Sequence, residues 1–400
     1  MNNTFKKIAA LVLAASMTVL SFASCGEAQN GDVQNNAKDT NFVIGGIGPI
    51  TGDYANYGIS VMNGAKLAVE EINAAGGAQG FTFELKFEDS QGNPDSAIAA
   101  YGKLMDDGMK ASLGAVLSGE TTSVVAAAKD DGILVLTPSG SADSAIKGSN
   151  TSFRICFADS AQGYASANYI ADNKLADKVA VFYASDVDYS KGLYDTFKAQ
   201  AEVRGIEIVE VQTFDKSTST DFSTQIQAIK NADVKLIFIP IYAAEAATFL
   251  TQAKTAGAFS EDTIFFGCDG LDGILGKIDE AKNAENVMML TPFAADSADE
   301  KTQKFVTAYK AAYGGETPDQ FAADGYDAVF TIIEALKYAE ITADAQADLN
   351  ERLVAAMTQI EVEGVTGKMT WTADGETNKA ALAMLIKDGV AKAYIGAEAE

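Results

Sequence analysis

Apolar runs and amphipathic stretches alternate along most of the chain. Residues 42–47 form a short apolar run that ends in Gly48-Pro49-Ile50-Thr51-Gly52, and a run so bounded predicts a buried strand. Beyond it Ile59, Met62, Ala65, Ala68, Val69 and Ile72 recur at spacings of three and four, which predicts a helix with one buried face. Asn73 and Gly76-Gly77 supply its stop. Further strands are predicted at 81–87, 112–117 and 133–136, with helices at 95–106 and 121–130 between them. A second series opens at 153–157 and continues through strands at 178–183, 206–211, 234–239 and 263–266. Helical patterns near 164–173, 192–203, 222–230 and 243–256 separate these strands. The last third is helical in pattern at 298–313, 321–339 and 345–359. It closes with strand-like runs at 368–371 and 380–386, a turn at Asp388-Gly389 and a hairpin partner at 391–395. Apolar strands spaced by amphipathic helices argue for parallel sheets covered on both faces. The expected fold class is α/β, with two doubly wound Rossmann-like lobes.

The N-terminus breaks this rhythm. Lys6 and Lys7 precede an apolar stretch over 8–22, followed by Ala23-Ser24-Cys25-Gly26. A charged start, a short apolar centre and small residues before a cut describe a secretory signal, and the stretch is shorter than the roughly 20 residues a spanning helix needs. Residues 22–25 resemble a bacterial lipobox, in which Cys25 becomes a lipidated first residue of the mature chain; Phe22 stands where such boxes usually carry Leu. Residues 25–41 are polar with almost nothing to bury, as expected of a flexible tether. The expectation is an exported body, held at the outer face of the cytoplasmic membrane by lipid alone.

Charge and residue content narrow the chemistry. There are 55 Asp and Glu against 30 Lys and Arg, a formal charge of −25 that becomes −27 once the signal is removed. Such a surface repels phosphate backbones, so no nucleic-acid partner is expected. The chain contains 0 His, which removes Ser-His-Asp and Cys-His nucleophile systems and the commonest zinc ligand. Cys25, Cys156 and Cys268 lie too far apart for a CxxC motif. Cys156 sits in an apolar run as a small buried residue would. No P-loop occurs, and the glycines at 45–48 do not complete a GxGxxG frame. Asp186 and Asp188 supply two carboxylates of a calcium loop and none of the rest. No metal and no cofactor is expected.

Positive signals lie after the strands, where open α/β sheets bind ligands. Ser118-Gly119-Glu120-Thr121-Thr122 and Thr137-Pro138-Ser139-Gly140-Ser141 offer hydroxyls and backbone N–H groups to a carboxylate, although the same residues suit plain helix capping. The loop 184–189 brings an aromatic in Tyr189, and Gly267-Cys268-Asp269-Gly270 brings an acid able to hold an ammonium group. Anion site, aromatic wall and acid together describe an α-amino acid pocket.

The stretch GGIGPITGDYANYGISVMNGAKLAVEEINAAGG at 45–77 resembles the opening of the branched-chain amino acid (Leu/Ile/Val) substrate-binding proteins of ABC transporters, which have the type I periplasmic-binding fold. Similar matches follow at 116–122, 136–141, FRICFADSAQGYASANYI (153–170), 189–194, DFSTQIQAIK (221–230), FGCDG (266–270) and VEGVTGKMTWTADGE (362–376). The resemblance implies lobe one at 42–159 and 292–377 and lobe two at 160–291 and 378–397, joined by a three-crossover hinge. It implies that Ser118 and Ser141 hold the ligand carboxylate by their hydroxyls and Ser139 by its backbone, and that Asp269 takes the ammonium. Tyr57, Tyr189, Tyr242 and Phe321 fall on the walls around the ligand side chain. Leu117 stands where some relatives have a disulfide cysteine, so that bridge is absent. Glu120 lies close to the carboxylate site and is expected to face outward, where it favours the helix dipole. The implied protein is a monomer, not an enzyme, that delivers its ligand to ABC permease subunits. A sensor subunit on the same fold, or an extracellular enzyme of amino acids or amides using a Ser-Lys pair, are the other classes open to this sequence.

Overall fold

The computed structural model describes residues 40–394. The signal, Cys25 and all but the last two residues of the tether lie outside them. No described helix is long and apolar enough to cross a membrane.

Five parallel strands make the first sheet: β1 (Asn41–Gly48), β2 (Thr82–Asp89), β3 (Met109–Gly114), β4 (Val135–Thr137) and β5 (Ser152–Arg154), in the order β2-β1-β3-β4-β5. The second sheet has seven strands: β6 (Lys178–Ala184), β7 (Glu207–Phe214), β8 (Leu236–Phe238), β9 (Ile264–Gly267), β10 (Val287–Thr291), β13 (Leu382–Lys387) and β14 (Val390–Ala393). Their order is β14-β13-β10-β9-β8-β6-β7, parallel except for the antiparallel pairs at β13. A small antiparallel pair, β11 (Glu361–Gly364) and β12 (Gly367–Thr370), stands apart. The α/β fold of two open sheets follows from the alternation seen in the sequence. One strand changes sheets. Residues 153–157 were expected to open the second series, but β5 pairs with β4 and closes the first sheet.

The helices are α1 (Ala55–Ala74), α2 (Pro94–Asp106), α3 (Ser118–Ala127), α4 (Asp159–Asp172), α5 (Asp188–Arg204), α6 (Ser223–Asn231) and α7 (Ala243–Thr255). Three more, α8 (Glu300–Ala312), α9 (Gln320–Tyr338) and α10 (Leu349–Met357), come after β10. Helix α1 buries Ala65, Ala68, Val69 and Ile72 as its periodicity predicts, but Ile59 is 39% exposed, Met62 is half-buried and Val61 is buried in its place. The face is rotated toward α9. A Cβ on Gly64 would lie 1.8 Å from the Ala322 carbonyl oxygen, and one on Gly325 2.4 Å from that of Val61. The two glycines let the helix backbones touch, and this sets where the N-terminus of α9 meets the sheet ends.

Strand β3 ends three residues earlier than its apolar run. The Ala115 carbonyl accepts the hydroxyls of Thr121 and Thr137 instead of continuing the ladder, so Ala115-Val116-Leu117 form a rim at the sheet end. The strand 287–291 carries a weak signal in sequence, Val-Met-Met-Leu-Thr, yet it is fully buried between β9 and β13. The chain leaves the first sheet after β5, leaves the second after β10, and enters the second again at β13. Trp371, between β12 and β13, donates from Nε1 to the Arg154 carbonyl at 2.8 Å and stitches this last passage to β5.

Candidate functional site

The carboxyl ends of the two sheets face each other across a pocket lined by Tyr57, Val116, Leu117, Ser139, Ser141, Tyr189, Tyr242, Asp269, Gly270 and Phe321. Seven of the eight residues read from the sequence line this one space. Ser118, the first residue of α3, is buried beside it; its Oγ accepts from the Ala142 N–H at 3.1 Å and so ties α3 to the loop after β4. Val116 and Leu117 were missed as wall residues, because the sequence places them inside a strand.

Asp269 follows β9 and is 2% exposed. Its Oδ1 accepts the Tyr189 hydroxyl at 2.8 Å and its Oδ2 the Gln162 amide at 2.9 Å, while its N–H donates to the Gln162 Oε1 at 3.0 Å. Burial pushes its pKa up to about 6, against the pull of those hydrogen bonds. Asp159, at the start of α4, is 1% exposed and neither of its carboxylate oxygens has a hydrogen-bond partner. Burial, and then the charge of Asp269, hold its pKa well above the ordinary carboxyl value. Two buried acids close together, Asp159 with both of its acceptors unmet, make a place for a cation. Asp159 and Gln162 were not read from the sequence as site residues. The signal was the pair of polar residues in Phe157-Ala158-Asp159-Ser160-Ala161-Gln162-Gly163, one helical turn apart at the start of a helix.

The loop after β4, whose Ser141 carbonyl accepts the Asp159 N–H at 2.9 Å, offers donors. The Ser139 hydroxyl donates to the Val116 carbonyl at 2.8 Å, which leaves the backbone of Ser139 for the pocket. The N–H groups of Ser139 and Ser141 have no hydrogen-bond partner among the described residues, whereas those of Gly140 and Ala142 are held by the Thr137 and Ser118 hydroxyl oxygens.

Aromatic rings close the rest. The Tyr189 and Tyr242 rings stack at 4.7 Å and 7°, Tyr57 meets Phe321 edge-on at 4.8 Å, and Tyr57 lies 5.5 Å from Tyr242. The Tyr57 hydroxyl is committed to the cleft itself: it donates to the Gly270 carbonyl and accepts the Ala243 N–H, both at 2.7 Å. Cys156 and Cys268 are free and buried.

Glu120 departs from expectation. It is 1% exposed instead of facing solvent. Its Oε2 accepts the Leu117 N–H at 3.4 Å, its Oε1 has no partner, and burial pushes its pKa up to about 7. The half-made capping bond draws it inward over the start of α3.

The sequence pattern of the periplasmic binding protein family matches residues 42–390. The chain belongs to that family. Among relatives of this periplasmic binding protein, "Leu/Ile/Val-binding protein homolog 3" of Brucella melitensis is 31% identical over 76% of this chain and 81% of its own. The "Leucine-, isoleucine-, valine-, threonine-, and alanine-binding protein" of Pseudomonas aeruginosa is 29% identical over 91% and 92%. The branched-chain amino acid transporter substrate binding protein LivJ of Streptococcus pneumoniae, solved with isoleucine, superposes with a TM-score of 0.79 at 30% identity, covering 88% of this chain and 99% of that one. The fold is thus the type I periplasmic-binding fold.

Proposed function

We propose that this periplasmic binding protein captures an aliphatic, branched-chain L-amino acid between its two lobes and presents it to an ABC permease. The observation that carries the reading is the arrangement of the pocket. The N–H groups of Ser139 and Ser141, which have no partner among the described residues, suit a carboxylate; Asp269 in the lining, with the buried Asp159 near it, suits an ammonium; and Val116, Leu117, Tyr57 and Phe321 supply apolar walls. A zwitterion with an aliphatic side chain satisfies all three at once. The relatives named for leucine, isoleucine and valine support it. Lobe one is 42–159 with 292–377, lobe two is 160–291 with 378–397, of which 395–397 lie outside the described residues, and the three passages between them are the hinge. Ser118 and Ser141 give hydroxyls to the carboxylate. Binding and closure need no covalent step, and the reading is of a carrier, not an enzyme.

Calorimetry with L-leucine, L-isoleucine and L-valine tests this. Saturable binding of at least one is expected, and binding of none, alongside binding of a ligand without an amino group, would sink it. We also propose that Cys25 is the lipid anchor. Radioactive palmitate should label the wild type and spare Cys25→Ala; equal labelling of both rules the anchor out.

A further inference from the structure

Arg154, at the end of β5, is wholly buried, at 0% exposed. Its guanidinium does not enter the pocket. It grips the back of the loop that does: Nη1 donates to the carbonyls of Gly140 at 3.2 Å and Ser141 at 2.5 Å, and Nη2 to that of Ala142 at 3.2 Å. Nη2 also lies 3.1 Å from Glu376 Oε1, on the passage that leads to β13. Three successive carbonyls drawn onto one planar cation fix the peptide planes of the loop. The N–H of Gly140 goes to Thr137 and that of Ala142 to Ser118, so the N–H groups of Ser139 and Ser141 are left for the pocket. The one ion pair of Arg154 among the described residues is with the partly exposed Glu376, so the guanidinium charge places a positive field behind the loop.

The geometry points to Arg154 as the positioning residue of the carboxylate cradle: it sets which N–H groups face the ligand anion and supplies the field behind them without touching it. This rests on the amino acid reading above. It assigns discrimination between a carboxylate and a neutral end group to a residue outside the pocket. A lysine at 154 keeps the charge but, as a single ammonium, does not gather three carbonyls in one plane.

The test is calorimetry with two probes, whichever of leucine, isoleucine and valine binds best and its neutral primary amide. The amide keeps the ammonium and side chain and loses only the anion. Wild type should favour the acid by about tenfold or more, the scale of a charge-assisted contact. Arg154→Lys should weaken the acid by about tenfold and the amide by less than about threefold, so that the preference collapses. Equal losses for both probes would make Arg154 a support of the fold only, and no loss would remove it from the site. Glu376→Gln is the second arm and leaves the guanidinium in place. It should hold or raise the preference for the acid, and a fall in that preference overturns the proposal even where Arg154→Lys does not fold. Wild type that binds none of the three amino acids would instead refute the function, not the role of Arg154.

Discussion

Asp269 is held by Tyr189 and Gln162 and faced by Asp159, Asp324 and Cys268, so its charge state decides what the pocket accepts. A carboxyl whose pKa is raised by folding, here from 3.8 to about 6, holds its proton more tightly in the folded chain. Ligand-free stability therefore rises as pH falls through about 6, and the gain is complete below the unfolded value. Ligand affinity runs the other way, because an ammonium needs the ionised acid. Leucine affinity should be flat above about pH 7 and fall below about 6, approaching tenfold per unit. Asp269→Asn should weaken binding by at least about tenfold, since removing one partner of a buried charged pair costs about 2–5 kcal/mol. It should leave the melting temperature of the ligand-free protein at neutral pH unchanged or higher, because it deletes a buried charge. Binding within about twofold of wild type at pH 7.5, far below one 1.4 kcal/mol step, would remove Asp269 from the ammonium site.

At the scale of elements, what was legible was what periodicity encodes. The strand series, the helix order and the loops after β4, β6 and β9 all stand out, because apolar runs and glycine- or serine-rich stops are local features. What was not legible depends on partners. The run over 112–117 looks like a single strand, yet two threonine hydroxyls from distant loops take the Ala115 carbonyl and end β3 early. The pattern of β5 cannot say which sheet it joins, since only pairing with β4 decides that. Strand β10 escaped notice because methionine carries little strand preference, although burial on both faces suits it well. Glu120 shows the same limit in the site. Its position at a helix start predicts an outward carboxylate, while in the structure it accepts the Leu117 N–H and is buried. Arg154 has no local signature at all, because its partners are carbonyls 12 to 14 residues away.

Between the ends of the two sheets run hydrogen bonds that an opening of the proposed hinge would break. Tyr57 on α1 bridges Gly270 and Ala243 at 2.7 Å each, and Tyr54 donates to Glu245 Oε1 at 2.6 Å with Lys216 4.7 Å from its ring. Lys277 reaches the Asp53 carbonyl at 2.6 Å, and Asp272 accepts the Gln320 N–H at 2.8 Å. Opening exposes each of these groups to water, which takes over their hydrogen bonds. Tyr57→Phe keeps the ring on the pocket wall and deletes the hydroxyl, so the Gly270 carbonyl and the Ala243 N–H are unpaired in the closed form only. An unmade buried hydrogen bond costs about 1–3 kcal/mol, which shifts the equilibrium toward the open form. Apparent affinity scales with the fraction of closed molecules, so every ligand should weaken by one common factor of about 5 to 150. Small-angle scattering should show wild type contracting with saturating leucine, and Tyr57→Phe reaching the same compact radius of gyration at a higher leucine concentration. If the ratio of leucine to valine affinity changes in Tyr57→Phe, the hydroxyl reads the ligand and is not a latch. If wild type does not contract at all, the cleft is rigid and these bonds are permanent contacts between the lobes.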